Sequence, residues 1–212
     1  MAERPAFFIR QAKVVSKLYS FEWFPGFSLS QKQKSIESLH HAILKTDEGA
    51  RPLEISTKGR DALGRSLSAF HLTLHNTPLE NIFQSAKVFE NGGPYPDLLK
   101  LPPKEAKRDT RLRSSGSLKA FHYCGKEFPI VPKTAFYDYI YIAAVKSSFT
   151  ADTISAISSY DYFTDIEFNP RQSVNTQARS VPLIKLIVSD YGYLPDFSEE
   201  EFIRYHKEHV IC

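Results

Sequence analysis

Cysteine is nearly missing from this chain: Cys124 and Cys212 are the only two among 212 residues. Two isolated thiols build neither a disulfide framework nor a tetrahedral metal site, and they suit a reducing compartment. Methionine and tryptophan are scarcer still, with one of each. No apolar run approaches the roughly 20 residues that a membrane-crossing helix needs. Glu3 and Arg4 precede only a very short apolar stretch, so no anchor or secretory leader is expected and a cytoplasmic location is. Charge of one sign is also lacking. The formal net charge is +3, from 27 Lys/Arg and 24 Asp/Glu, too little by itself to mark a nucleic-acid binder. A glycine-rich phosphate loop and a nucleophile elbow are both absent. His40 and His41 are adjacent on a predicted helix and so diverge, which leaves no case for a metal.

What the chain does have is aromatic residues: 16 Phe and 11 Tyr. Such rings fill cores, and they also stack nucleobases; composition does not choose between the two. The Phe7 to Trp23 stretch is rich in β-formers and ends at the turn Pro25-Gly26. Ser28 or Ser30 is placed to cap a helix through about Leu44, with Ile36, Leu39, Ile43 and Leu44 as its apolar stripe. Leu53 to Ser56 and Leu67 to Leu74 alternate like short strands. Thr77-Pro78-Leu79-Glu80 reads as a capping box opening a helix to about Glu90, stopped by Asn91-Gly92-Gly93. A proline-rich loop follows, then a basic segment from Lys104 to Arg113, and Ser114 to Ser117 reads as a linker turn. Further helices are expected over Pro132 to Val145, whose Tyr and Ile content also suits a strand, over Ala151 to Ser158, and after a second capping box at Ser198 to Glu201. The sum is an α+β fold, mainly helical with a few short strands. We divide it into an N-terminal elaboration over residues 1–60, packed on a core domain over residues 61–212, the two expected to form one compact unit.

Three groups of residues have chemical potential. Glu80, Gln84 and Lys87 stand at i, i+4 and i+7, within about 60° on a helix, with Ile82, Ala86 and Phe89 on the opposite side. That row is either a solvated face with Glu80 as a cap, or a carboxylate, an amide and an amine lined up along a cleft. Lys104 to Arg113 carries five positive and two negative charges, suiting phosphate contacts or a solvated loop equally. Asp161 to Pro170 sets three carboxylates among aromatic rings. It is an acidic turn before Asn169-Pro170, or the source of a carboxyl whose proton is held by restricted water access.

Taken together these residues resemble the NADAR superfamily, also called YbiA-like, and within it the antitoxins associated with DarT toxins. Leu67-Ser68-Ala69-Phe70 is similar to the superfamily's LSNF strand, with Ala69 where Asn is usual. Glu80, Gln84 and Lys87, followed by Val88-Phe89, match E-x-x-x-Q-x-x-K-F with the Phe one residue late. Ala106 to Asp109 matches the basic segment loosely, and Phe163-Thr164-Asp165 with Asn175 stands for the late block, usually Trp-Gly-Asp and then Asn. The antitoxin branch fits more closely through Trp23 to Ser28, Gln31 to Ile36, Pro132 to Asp138, Phe163 to Pro170 and Gln177 to Ser180.

The resemblance implies a glycohydrolase that reverses a DarT-type toxin by removing ADP-ribose from guanine bases of DNA, with no metal and no cofactor. It implies Glu80 and Asp165 as acid/base carboxylates and Lys87 close to the ribose, acting electrostatically or through an imine with the opened sugar. Lys107 and Arg108 would bind the pyrophosphate. Trp23, Phe70 or Phe168 would stack a base, and Ser68, Gln84, Asn169 and Asn175 would complete the substrate contacts. The implied partners are ADP-ribosylated DNA or guanosine, ADP-ribose as product, and the cognate toxin, with no membrane. Two other readings stand beside it: an N-glycosidase on small riboflavin-pathway intermediates, and an antitoxin that acts only by binding its toxin.

Overall fold

Residues Ala2–Arg10 (β1) and Lys13–Phe21 (β2) form an antiparallel hairpin closed by Gln11 and Ala12, both at positive φ. The computed structural model describes residues 1–171 and 173–211. Cys124 is exposed and free, and Cys212 lies outside the described residues. After the hairpin come α1 (Leu29–Leu44), β3 (Pro52–Glu54) and α2 (Ala62–Ser66). A short hairpin of β4 (Thr73–Leu74) and β5 (Thr77–Pro78) leads into α3 (Leu79–Ser85) and β6 (Lys87–Phe89). Next are α4 (Pro103–Ala106), α5 (Arg111–Ser114), β7 (Leu118–Tyr123) and β8 (Lys126–Pro129). The chain continues through α6 (Ala135–Ser148), α7 (Ala151–Ala156), β9 (Tyr162–Thr164), α8 (Gln177–Tyr191) and α9 (Glu199–His209). The fold is α+β with helices in the majority, as expected.

These elements pack as two units. The first gathers Met1–Ser68, Phe149–Pro195 and His209–Ile211; the second gathers Ala69–Ser148 and Asp196–Glu208. This grouping differs from a cut near residue 60, because the N-terminal hairpin shares its sheet with a strand more than 150 positions later. The sheet order is β2-β1-β9-β3, with β9 antiparallel to β1 and parallel to β3. All three residues of β9 are buried, as a central strand covered on both faces requires. Ala6, Tyr19 and Phe21 pack against Ile36, Leu39 and Ile43 of α1, whose cap is Ser28. Leu44, expected in that stripe, is partly exposed. Helix α8 has no counterpart in the sequence reading. Its first eight residues are all buried, including Pro182, so no amphipathic stripe advertises it.

The second unit is built on aromatic stacking. Phe121 and Phe136 lie 4.6 Å apart between ring centres, Phe83 is 5.4 Å from Phe121, and Phe128 is 5.1 Å from Phe136. Much of the aromatic content is therefore core. Helix α6 is buried along most of its length, and its Asp138 meets His206 of α9 at 2.9 Å, both fully buried. The Ser198 capping box is present, with Ser198 Oγ donating to Glu201 Oε2 at 2.7 Å and Glu201 N donating to Ser198 Oγ at 3.3 Å.

Two expectations are corrected here. Residues 67–74 do not form one strand: Leu67 closes α2 and only Thr73–Leu74 pair, with Thr77–Pro78. Leu67, Leu72 and Leu74 are each buried, but a turn separates them rather than an extended run. The Thr77 capping box does not form. His75 and Asn76 adopt positive φ in a tight two-residue turn, which draws Thr77 and Pro78 into the strand pair. The helix begins at Leu79 and ends at Ser85, since Lys87 to Phe89 bond to β7 as a strand instead of continuing the helix.

Candidate functional site

The first unit sets beside the expected Asp165 a second buried carboxyl, Glu54, that the sequence reading did not single out. Glu54 ends β3, and the parallel register with β9 sets it beside Thr164. Its Oε2 accepts from Thr164 Oγ1 at 2.6 Å; its Oε1 accepts from Ser56 Oγ at 2.6 Å and Ile166 N at 2.8 Å. Asp165 follows directly. Its Oδ1 accepts from Glu167 N at 3.1 Å and its Oδ2 from Thr176 Oγ1 at 3.2 Å. Exposures of 3% and 8% take both carboxyls almost out of water. Burial first, and then the charge of Glu54, push Asp165 up to about 8 against the pull of its two donors. Burial raises Glu54 as well, countered by Ile166, Ser56 and Thr164. Two buried carboxyls that feel each other's charge resist being ionised together. Three short donors on Glu54, against two longer ones on Asp165, favour the charge on Glu54.

The hydroxyl of Thr164 is spent on Glu54, so at 2.9 Å it accepts from His40 Nε2, which carries the proton of a neutral ring. Burial lowers His40 to about 4, in keeping with that neutral form. His40 and Glu54 also line a cavity of about 160 Å³ with Gln33, Glu37, Arg60 and Asp61. None of the residues expected at the site lines it.

The second unit holds the expected row. Gln84 Nε2 donates to Glu80 Oε1 at 2.7 Å, and Lys87 Nζ donates to Gln84 Oε1 at 2.7 Å. Lys107 Nζ stands 3.6 Å from Glu80 Oε2. The amide of Gln84 thus links a carboxylate to an amine, while Ile82 and Ala86 are buried. Burial lowers Lys87 to about 8, which Glu80 opposes and the charge of Lys107 reinforces. An amine with that proton affinity is partly neutral at working pH and able to act as a base or nucleophile.

Of the other expected residues, Arg108 is exposed and Phe70 is 82% exposed on a turn. Ser68 Oγ and Asn175 Oδ1 are buried without hydrogen-bond partners, the state of atoms that await a ligand or water. Asn169 Oδ1 accepts from Arg171 N, and Phe168 is half-buried. Trp23 lies under two cations, Arg4 at 5.3 Å and Lys32 at 4.9 Å from the ring centre. The sequence reading missed Glu54, His40, Arg4 and Lys32. The one available signal was a Glu between Leu53 and Ile55 in an otherwise apolar strand. His71 and His75 have helical ligand spacing but lie in turns, and no group of three or more His, Cys, Asp or Glu among the described residues is placed to hold a metal. Nor is any described helix long and apolar enough to cross a membrane.

No curated protein matches the chain. A family model described as DarT1-associated NADAR antitoxin matches residues 2–211.

Proposed function

The chain belongs to the DarT1-associated NADAR antitoxin family, and from that premise we propose that it is a glycohydrolase removing ADP-ribose from guanine bases of DNA. The observation that carries this reading is the Glu80–Gln84–Lys87 row, a half-wet carboxylate joined through one amide to an amine lowered to about 8. Hydrolysis breaks the bond between the anomeric carbon of ribose and the exocyclic nitrogen of guanine. The oxygen of water joins that carbon, its proton passes to a carboxylate base, and the departing nitrogen takes a proton from a carboxylic acid. Glu80 of the second unit and Asp165 of the first are the candidate acid/base carboxylates, each to be tested by its own variant. Asp165 suits the acid, since a carboxyl raised to about 8 still carries its proton at neutral pH. Lys87 acts on the ribose, as a cation while protonated or, while neutral, as an amine that adds to the anomeric carbon of the ring-opened sugar, displaces the guanine amine as an imine forms, and is freed when water hydrolyses that imine. Lys107 belongs with the phosphates, and Ser68 and Asn175 contribute hydrogen bonds to the substrate.

The reading also places the protein's work in the cytoplasm, as the functional counterpart of a DarT-type toxin. The test is direct. The protein is incubated with an oligonucleotide carrying ADP-ribosylated guanine, and free ADP-ribose is followed by chromatography. Release at catalytic enzyme concentration, lost in Lys87→Met, is expected. No release from the oligonucleotide at stoichiometric enzyme would overturn the proposal.

A further inference from the structure

The net charge of the chain hides a local imbalance. Residues 1–34 carry six Lys/Arg against two Glu, an excess larger than the whole chain's +3. Part of that excess converges on the corner between β2 and α1. Arg4 and Lys32 both lie against the Trp23 ring, and Lys34 stands 6.0 Å from the Phe24 ring. The corner is held firmly. Ser35 Oγ accepts from Phe24 N at 3.0 Å and Ser38 Oγ from Glu22 N at 3.0 Å, tying the loop to α1.

From this braced corner Phe27 projects fully exposed, with Leu29 more than half exposed beside it in sequence. A bare ring on a tethered loop offers a preformed face for stacking. The cations also have spare capacity. Arg4 Nε is buried without a hydrogen-bond partner. Lys32 is paired at 2.9 Å to Glu167, whose side chain is 40% exposed against 14% for Lys32, so an arriving anion reaches the cation by displacing the open carboxylate. The antiparallel register that sets Ala6 opposite Thr164 runs Arg4 past the segment after β9, and the charges of Asp165 and Glu167 are felt at its guanidinium. Basic side chains interleaved with aromatic rings, one of them bare, form the surface that holds an unpaired nucleic-acid strand: phosphates take the cations and a base takes the ring.

We propose that the β2–α1 corner grips an unpaired DNA strand, with Arg4 and Lys32 on its phosphates and Phe27 against an unstacked base. The proposal rests on the reading that the substrate is DNA. It gives Trp23 the task of backing two cations, and it places strand recognition in the same unit as Asp165. A base attacked at its exocyclic nitrogen must leave the stack, and a ring wedged beside it offsets part of the unstacking cost.

The test uses the full chain and a fluorescently labelled, unmodified single-stranded oligonucleotide, with binding read by anisotropy at low and moderate salt. Phe27→Ala is expected to weaken binding about tenfold, the loss of one stacked base, with its salt dependence unchanged. Lys32→Met is expected to reduce the slope of log affinity on log salt by about one, and Lys32→Arg to restore it. Leu18→Ala, which removes a leucine 56% exposed elsewhere on β2, is the control and should bind as the unaltered protein does. Binding that is absent at low salt, equal in all variants, or weakened as much by Leu18→Ala overturns the proposal. So does a Phe27→Ala variant that binds the strand normally but no longer co-purifies with the cognate toxin, since the corner would then be a protein-docking surface. ADP-ribose release by the unaltered protein is measured alongside. Its absence defeats the glycohydrolase reading, whereas the binding of unmodified strand is judged without it.

Discussion

The two units present ionisable groups in opposite ways. In the first, Glu54 and Asp165 are nearly dry, like in charge, and held partly by backbone N–H groups of Ile166 and Glu167. In the second, Glu80, Gln84, Lys87 and Lys107 are opposite in charge, joined side chain to side chain, and open at one end, where Lys107 is 64% exposed. Burial brings Asp165 up and Lys87 down to the same neighbourhood, about 8 in both cases. The routes differ. In the pair, desolvation and a like charge act together on Asp165 against two modest donors. In the row, the opposite charge of Glu80 offsets part of the desolvation of Lys87. The pair is thus rigid, with its proton set by the fold, whereas the row is soft and an arriving phosphate that draws Lys107 away would retune it.

The sharpest way to break this comparison is at Lys87. Lys87→Arg keeps a cation that stays charged at every working pH, and Lys87→Met keeps neither charge nor amine. If the near-neutral amine is what matters, both variants lose ~10²–10⁴-fold in single-turnover ADP-ribose release. Near-normal rates for Lys87→Arg would reduce the role to electrostatics.

Asp165→Asn should slow turnover at least ~10²-fold while the protein still folds. The sign of its stability effect follows from the direction of the shift. The proton is held in the folded state up to about 8 but lost from the unfolded chain near the ordinary carboxyl value of 3.8, so the stability that Asp165 contributes declines as pH rises between those values. Relative to the unaltered protein, the Asn variant should gain up to about 1.4 kcal/mol per pH unit across that window, read by urea unfolding at several pH values. A flat difference would show that Asp165 is ionised throughout.

Glu54→Gln separates the pair's electrostatics from its packing. Removing the neighbouring charge should lower the proton affinity of Asp165, moving the alkaline limb of the kcat/KM profile down by about one pH unit. A purely structural Glu54 would change the amplitude and leave the limb in place. The smallest effect is expected at the open end of the row. Lys107→Ala should raise KM several-fold with little change in kcat, because a phosphate contact made equally in ground and transition states appears as binding. Collapse of the saturated rate with unchanged affinity would remove Lys107 from the phosphates.

Legibility from sequence tracked how local the determinant was. Helix α1 is written in its cap and its stripe, and α9 in a reciprocal Ser198–Glu201 box. A box of the same form at Thr77 failed because the left-handed pair His75-Asn76 and a strand partner at Leu74 outweighed it. Lys87 was read onto a helix and lies on a strand, yet it reaches Gln84 all the same, since the long side chain spans the break. Glu54 could not be found in this way. Alternation sets it opposite Leu53 and Ile55, which reads as solvent-facing. Only a sheet buried on both faces, completed by Thr164 across 110 positions, makes it a core carboxylate. Helix α8 stayed hidden for the same reason, being buried all round where periodicity carries no signal.

The second unit's main segment, Ala69–Ser148, is strung between strands that must meet, since β3 and β9 pair only after it has been made. Every hydrogen bond that holds Glu54 to Thr164 and Ile166 closes a loop longer than a hundred residues. Contacts of such sequence separation form late and slowly, because loop entropy is lost before they return anything. During synthesis most of the second unit leaves the ribosome before β9 exists. The Asp165 proton therefore has no defined affinity until one of the last steps of folding. A chain stalled within residues 69–148 carries the sequence of the hairpin and α1 but lacks β9 and Asp165, so truncation in the intervening segment is a direct route to losing the first unit's carboxyl pair.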